Sequence, residues 1–564
     1  MRHYEYRFND GWTLSSGNGL RVEQRRQYRN EQGERIERET ISGPDGTIVS
    51  AIEKRYHEFA WGRQLVAEIS DPDGDRRTTT TSYYEQSGQA GYGLVKSRRF
   101  PDGSWLRYRY DRQGRIIATE RPWLDGDKAS LVINDYTPLP ADGNAPADRL
   151  RPRTVTEMIG TTVVAKRFYH YAVNSAGQRI ETTERCTTAD CSFGDASNLR
   201  SVATYYPPTG GVQAGKLQSQ LDESGLLTTY RYESGTFNAN VDPAKARFEP
   251  GKGRALRTTI GSGAVDYEST RQTVIADWLG RELMREQFVK TPDGFARYGW
   301  SYNTYDNNGR LIETLHSNHT RTENSWSCCG QATSTDAGGI TTSNSYDELG
   351  RLTASTNEAT GTVVENHYDA AGRQLRTVRR NGELSETSTF AYDLSGRVLS
   401  STDVSGLETR YRYQERTNIV MGPGGEQITR RFRDGNIRTQ TGTGLVDRFY
   451  HYGVNPDGSQ WTTVFLAQDN GPRWQKTTRD FLGRIVRIEK PGFAGVQVTT
   501  NAYDRRGRLI ATESTGTPAT LYQYDAQNNL LRSGQDLDGN QRLELGGADR
   551  INGCKSGGNQ GVSK

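Results

Sequence analysis

The chain has 564 residues, of which 33% are hydrophobic and 10% aromatic, and its mean hydropathy is -0.82. Its 72 basic and 68 acidic side chains give a net charge of +4 and are spread without a long single-sign run, which argues against a nucleic-acid-binding stripe. No apolar run is long enough to span a membrane, and the 30 tyrosines argue against disorder.

One motif recurs along the chain: Tyr, Asp, two variable residues, Gly, Arg and then an aliphatic or β-branched stretch. Asp can accept hydrogen bonds from backbone amides two residues further on, and Gly supplies the positive φ of a tight turn. The motif therefore predicts a β-hairpin turn. Its six well-formed copies are Tyr110-Asp111-Gly114-Arg115, Tyr305-Asp306-Gly309-Arg310, Tyr346-Asp347-Gly350-Arg351, Tyr368-Asp369-Gly372-Arg373, Tyr392-Asp393-Gly396-Arg397 and Tyr503-Asp504-Gly507-Arg508.

Successive motif tyrosines lie 22 residues apart between Tyr346 and Tyr368 and 24 apart between Tyr368 and Tyr392. A unit of this length accommodates two strands and two turns. The motif Tyr and Arg lie at opposite ends of a hairpin, so we expect a ring to stack on a guanidinium within or between repeats. The sequence predicts an all-β fold of repeated hairpins in one long antiparallel sheet.

Residues 1–250 contain degenerate repeats, such as those at Tyr28 and Tyr171. In this part, Cys186 and Cys191 are the best disulfide candidates, because they could close a small loop if the protein is exported. Residues 251–535 contain the well-formed repeats and continue the first part without a linker.

Two histidines and two adjacent cysteines interrupt the repeats in the middle of the chain. The residue types allow a zinc site made of His316, His319, Cys328 and Cys329. Neighbouring side chains on a strand point to opposite faces, however, so the two thiols could converge only in a turn. A packing or turn role is the alternative interpretation.

Residues 536–564 combine an Asp/Gly turn with a Gly/Ser/Asn-rich tail that we expect to be flexible. The turn is similar to a calcium loop, although Gly stands at its fourth position and a second Gly replaces the usual bidentate Glu. A hairpin turn without calcium is the alternative. The candidate ligands are Asp536, Asp538, Asn540 and Glu544, followed by Asp549.

These repeats resemble the YD repeats of bacterial Rhs proteins, of toxin-complex cocoon subunits and of animal teneurins. The resemblance covers at least residues 100–535. It implies a sheet that curls into a spiral shell or barrel, commonly around a C-terminal toxin, in a secreted or cell-surface protein. The core-terminating segment of the family is not visible, so we expect an incomplete shell, from a gene fragment or a truncated product, without toxin and autoprotease.

We therefore expect a non-catalytic shell segment without a cofactor, whose partners are an enclosed toxin or effector or further shell repeats. The chain has neither a GxSxG elbow nor an HExxH motif. The alternative is a carbohydrate- or cell-wall-binding display module that uses aromatic strand faces, although cross-strand packing also explains these aromatics. The tryptophans considered are Trp105, Trp123, Trp300, Trp461 and Trp474.

Overall fold

The computed structural model describes residues 2–7, 11–31, 33–140, 142, 150–240, 242–264, 267–493, 495–525 and 527–553. These residues form 44 β-strands of one antiparallel sheet, together with two short 3-10 turns, Gly211–Gln213 and Pro243–Lys245. The all-β, single-sheet prediction is confirmed.

The strands of the first half are β1 Arg2–Arg7, β2 Gly11–Ser16, β3 Arg21–Arg29, β4 Arg35–Ser42, β5 Ile48–Phe59, β6 Gly62–Ser70, β7 Arg77–Tyr83, β8 Val95–Arg99, β9 Trp105–Tyr110, β10 Ile116–Pro122, β11 Ala129–Asp135, β12 Thr154–Ile159, β13 Thr162–Val173, β14 Arg179–Arg185, β15 Leu199–Tyr205, β16 Leu217–Leu221, β17 Leu226–Asn238, β18 Arg247–Pro250, β19 Ala255–Ala264, β20 Tyr267–Asp277, β21 Glu282–Thr291 and β22 Gly294–Tyr305.

The strands of the second half are β23 Leu311–His316, β24 Arg321–Trp326, β25 Gln331–Thr335, β26 Thr341–Tyr346, β27 Leu352–Asn357, β28 Thr362–Tyr368, β29 Gln374–Asn381, β30 Leu384–Tyr392, β31 Val398–Thr402, β32 Glu408–Gln414, β33 Thr417–Gly422, β34 Gly425–Arg431, β35 Ile437–Gly442, β36 Arg448–Val454, β37 Gln460–Leu466, β38 Trp474–Arg479, β39 Ile485–Gly492, β40 Gly495–Tyr503, β41 Leu509–Ser514, β42 Thr517–Tyr524, β43 Leu530–Gln535 and β44 Arg550–Gly553.

The hairpins share one register pattern at the Tyr-Asp turns. In β28 and β29, Glu365 pairs with Val378, but the register shifts by one residue between His367 and Tyr368. The same shift precedes Tyr346, Tyr392 and Tyr503. A bulge of this kind increases the local twist of a strand pair. Each of these four motif tyrosines therefore lies at a bulge that begins a turn.

The chain divides into two compact units, each built from two separate stretches. One unit comprises Met1–Ser130 and Thr304–Asp447, and the other comprises Leu131–Asn303 and Arg448–Lys564. The three segments expected from the sequence (1–250, 251–535 and 536–564) follow the regularity of the repeats, and this division stays a prediction.

Fully buried apolar side chains are few and form small clusters. In the second unit, Phe168 and Phe481 pack with Cys186 and Cys191. A separate cluster of that unit contains Ile275 and Met284, which are 2% and 1% exposed. Because these clusters are small, most of the sheet must be held together by contacts between partly exposed side chains.

The predicted flexible tail begins with regular structure. Arg550–Gly553 forms β44, which pairs antiparallel with β43 through Gln535 and Arg550. The backbone of β44 closely approaches Gly534, where a larger residue would clash with the carbonyl oxygen of Arg550. The expectation of a tail is therefore wrong for Arg550–Gly553, and residues 554–564 lie outside the described part of the chain.

Candidate functional site

The Tyr-Asp turn is closed by its own Asp and Arg. At the turn after β26, one carboxylate oxygen of Asp347 accepts hydrogen bonds from the backbone N–H groups of Leu349 and Arg351, both at 2.9 Å. The other oxygen accepts a bond from Nε of Arg351 at 2.6 Å. Gly350 has a φ of 77°, which the turn requires and which side chains disfavour. We call this arrangement the Asp–Arg clasp.

The clasp recurs along the chain with nearly constant geometry. The Asp-to-Nε(Arg) distance is 2.6 to 2.8 Å in each recurrence, including two turns whose sequences lack the motif Tyr. The pairs are Asp111–Arg115, Asp277–Arg281, Asp306–Arg310, Asp369–Arg373, Asp393–Arg397, Asp480–Arg484 and Asp504–Arg508.

The clasp also affects protonation. Burial raises the pKa of the Asp347 carboxyl, but the hydrogen bonds from the backbone and side chain of Arg351 outweigh burial and leave this pKa below its usual value. At Asp111 and Asp504, too, the hydrogen bonds from the clasp Arg outweigh burial, and the pKa of each carboxyl lies below its usual value. The carboxylates are therefore held in their charged form, which is the form that binds the turn.

A second set of contacts joins each turn to the next repeat. The Arg351 guanidinium lies 5.2 Å from the ring centre of Tyr368, and the Tyr368 hydroxyl donates to the carbonyl oxygen of Leu352 at 2.9 Å. The predicted ring-on-guanidinium ladder is present, in its between-repeat form. The same pairing occurs for Arg373–Tyr392, Arg397–Tyr413, Arg484–Tyr503 and Arg508–Tyr524, at 4.4 to 4.8 Å.

Repeats that depart from the motif keep the same contacts with other residues. Trp326 takes the place of a motif Tyr: its indole N–H donates to the carbonyl oxygen of Leu311 at 2.8 Å, and Arg310 lies 5.7 Å from its ring. Asn529 replaces the motif Arg and donates to Asp525 at 3.0 Å. The arrangement therefore tolerates changes that preserve a planar donor at each position.

Some motif arginines also reach the other stretch of their own unit. Nη2 of Arg373 donates to the carbonyl oxygen of Val49 at 2.8 Å, across 324 residues of sequence, and Arg397 forms an ion pair with Asp75. In the second unit, the Asn528 amide donates to the Ser224 hydroxyl at 2.6 Å. Sequence reasoning missed these contacts, because the local motif does not indicate which distant strand lies beside a turn.

Asp125 forms a charge cluster that the sequence did not single out. Its carboxylate lies 3.3 Å from Arg416, 3.5 Å from Arg438 and 4.0 Å from Arg433. Leu124, beside it, donates its backbone N–H to Asp434 at 2.9 Å. The loop after β10 is thereby fixed to the β32–β35 region of the same unit.

Cys186 and Cys191 are joined by a disulfide in the structure, with Cα atoms 5.9 Å apart. They lie in the apolar cluster of Phe168 and Phe481, 1% and 4% exposed respectively. Lys166 donates to the carbonyl oxygen of Cys191 at 2.9 Å. The disulfide closes a small loop within the connection between β14 and β15.

The four zinc candidates are not brought together. His316 ends β23 and His319 lies in the turn before β24, where the His319 N–H donates to the carbonyl oxygen of His316. Cys328 and Cys329 lie in the turn after β24. The six residues of β24 separate the two turns by about 20 Å at the usual rise per residue. The zinc interpretation therefore requires a correction: in this structure the four residues do not form one site.

The calcium candidates divide into two groups. Asp536 and Asp538 do lie together, and the third carboxylate within 4.8 Å is that of Asp549. Glu544 is not part of this trio of carboxylates, which could accept a hard cation, and the Asn540 amide donates to Asp538 at 2.9 Å. Both Asp536 oxygens, however, accept hydrogen bonds from backbone N–H groups of the loop, from Gly539 and Asn540 on one oxygen and from Gln541 on the other.

The tryptophans considered for sugar binding are mostly covered by the chain itself. Cationic side chains lie over three of the rings at 4.2 to 5.8 Å, and a fourth ring packs against an apolar cluster. Arg107 lies over Trp105, Lys476 over Trp461 and Lys128 over Trp123, while Trp300 packs against the cluster that contains Met284. Trp474 borders an open cleft with Tyr450 and Pro491. Carbohydrate binding stays a hypothesis.

The described residues include no helix with the length and apolar character needed to cross a bilayer.

Comparison with solved structures returns toxin-complex assemblies at low similarity. A crystal structure of TcdB2-TccC3-TEV has 10% identity and a TM-score of 0.38, covering 91% of this chain and 31% of that chain. The Photorhabdus luminescens Tc holotoxin pore has 11% identity and a TM-score of 0.34, covering 94% and 30%. This chain thus spans about a third of the length of those chains, and TM-scores this low carry no functional information.

No curated protein sequence matches the chain. A sequence model of the RHS repeat family matches residues 346–384, which include the clasps of Asp347 and Asp369 and the Arg351–Tyr368 contact. The chain therefore contains a segment, residues 346–384, that is similar to the RHS repeat family.

Proposed function

We propose that this chain is a non-catalytic structural segment of a shell, and that the shell encloses a second polypeptide, such as a toxin or effector, or joins further shell repeats. The observation that carries this proposal is the repeated contact between consecutive hairpins. Each clasp fixes a turn, and in five of them the guanidinium also lies over the Tyr ring of the next repeat, as Arg351 does over Tyr368. A sheet built in this way can extend without a thick apolar core.

The disulfide supports a location outside the reducing cytosol. Disulfides persist in oxidising environments, and the one between Cys186 and Cys191 closes a loop in a buried cluster. We infer that the protein works in the extracellular space or at a cell surface, as secreted shell proteins do.

Small-angle X-ray scattering of the purified chain tests the hollow arrangement. A solid domain of 564 residues should have a radius of gyration of about 24 Å. A shell segment places its mass away from the centre, so we expect a clearly larger radius and a distance distribution shifted to long separations. A radius close to the solid value would contradict the proposal.

A further inference from the structure

The turn that contains the adjacent cysteines is a shortened version of the Tyr-Asp turn. Trp326 and Ser327 occupy the positions of the motif Tyr and Asp. In a full turn the Asp347 N–H donates to the carbonyl oxygen of Arg351, four residues on, whereas the Ser327 N–H donates to that of Gly330, three residues on. Cys328 and Cys329 are therefore the two central residues of a tight turn between β24 and β25.

Both sides of this turn are anchored. Arg310 donates to the carbonyl oxygen of Ser327 at 3.0 Å, and the Tyr346 hydroxyl donates to that of Gln331 at 3.0 Å. The tip is solvent-exposed, and the sulfur atoms of Cys328 and Cys329 lie 2.7 Å apart, where one thiol can donate to the other. The two thiols are therefore exposed to solvent, while hydrogen bonds hold both sides of the turn that carries them.

We propose that Cys328 and Cys329 form a reversible oxidation site, which closes to a disulfide between adjacent residues by exchange with a small-molecule disulfide. The proposal rests on the turn geometry, the exposure and the separation of the sulfurs, and it does not depend on the shell function. Cys186 and Cys191 are already paired with each other, so among the described residues the neighbouring cysteine is the partner available to each thiol.

The exchange has two steps that balance atoms and electrons. The thiolate of one cysteine attacks one sulfur of the small-molecule disulfide, breaks its S–S bond and releases one thiolate. The neighbouring cysteine then loses its proton and attacks the protein sulfur of this mixed disulfide, which releases the second thiolate. The protein dithiol loses two protons and two electrons, and the small molecule leaves as two reduced thiols.

The test is to equilibrate the full chain anaerobically in a series of glutathione buffers whose reduction potential runs from reducing to oxidising. Each sample is then quenched with acid, alkylated, digested with trypsin and measured by mass spectrometry. Cleavage after Arg321 and Arg351 gives one peptide, 322–351, that contains both cysteines. The closed form of this peptide lacks two hydrogens and takes up no alkylating reagent. The ratio of closed to doubly alkylated peptide should change about tenfold for each 30 mV, as expected for a two-electron couple.

Matched variants complete the test. Cys328→Ser and Cys329→Ser should each convert to a single glutathione adduct at oxidising poise, since the second step is removed. Peptide 186–200 reports Cys186 and Cys191 in the same samples as an internal reference. The proposal is overturned if the unaltered chain keeps two alkylated thiols, or gains two glutathione adducts, at the most oxidising poise.

Discussion

Removing the Arg373 guanidinium should open the repeats around it. This side chain is 18% exposed and binds Asp369, which is 4% exposed, at 2.6 Å. It also donates to the carbonyl oxygens of Asp393 and Val49, both at 2.8 Å, and lies 4.8 Å from the Tyr392 ring. Arg373→Ala leaves the Asp369 carboxylate buried without its cation, a change that costs about 3–5 kcal/mol.

The assay is amide hydrogen exchange, because repeat proteins open locally and a single unfolding free energy is not well defined for them. Amides of β29 and β30 should exchange at least about 100-fold faster in Arg373→Ala, since each 1.4 kcal/mol is tenfold. Arg379→Ala is the matched control: Arg379 lies on β29, the strand that follows Arg373, is exposed, and its removal should change exchange only slightly. Equal exchange in the two variants would refute the role of the clasp.

The other predictions concern a glycine, the clasp carboxylates and the acidic loop. An added Cβ at Gly458 would lie 2.4 Å from the Val163 carbonyl oxygen at a φ of 83°, so Gly458→Ala should cost about 2–5 kcal/mol. Gly483→Ala, which has free space at a φ of 82°, should cost only about 1–2 kcal/mol, and equal acceleration of amide exchange around the two turns would contradict this. Because the folded pKa values of Asp111, Asp347 and Asp504 are depressed, the stabilisation from these carboxylates is complete above the unfolded pKa of about 4 and is lost as pH falls through the folded pKa. Circular dichroism should therefore show the sheet intact at pH 5 and lost in stronger acid, and an unfolding midpoint above pH 5 would count against it. The acidic loop already closes on its own N–H groups, so we expect calorimetry to detect no calcium binding; a binding heat that disappears in Asp538→Asn would instead establish a cation site.

The hairpin turns and the stacking contacts could be predicted because their causes are local. Asp347 binds amides two and four residues away, and the next Tyr follows within one repeat length, 22 residues after Tyr346 and 24 after Tyr368, so the sequence contains the whole arrangement. The Asp, Arg and Tyr of consecutive repeats therefore make the contacts that the sequence pattern predicts.

Contacts between distant stretches could not be predicted in this way. The bond from Arg373 to Val49 and the arginines around Asp125 depend on how the sheet curves over hundreds of residues. The sequence interpretation also placed Cys328 with two histidines, because it did not recognise Trp326 as a motif position and hence did not recognise the short turn.

The most direct test of the central claim is cryo-electron microscopy of the product of the complete open reading frame that contains this chain. The account predicts a sheet of Tyr-Asp hairpins that surrounds density for additional polypeptide. An open sheet with both faces in solvent and no enclosed density would contradict it.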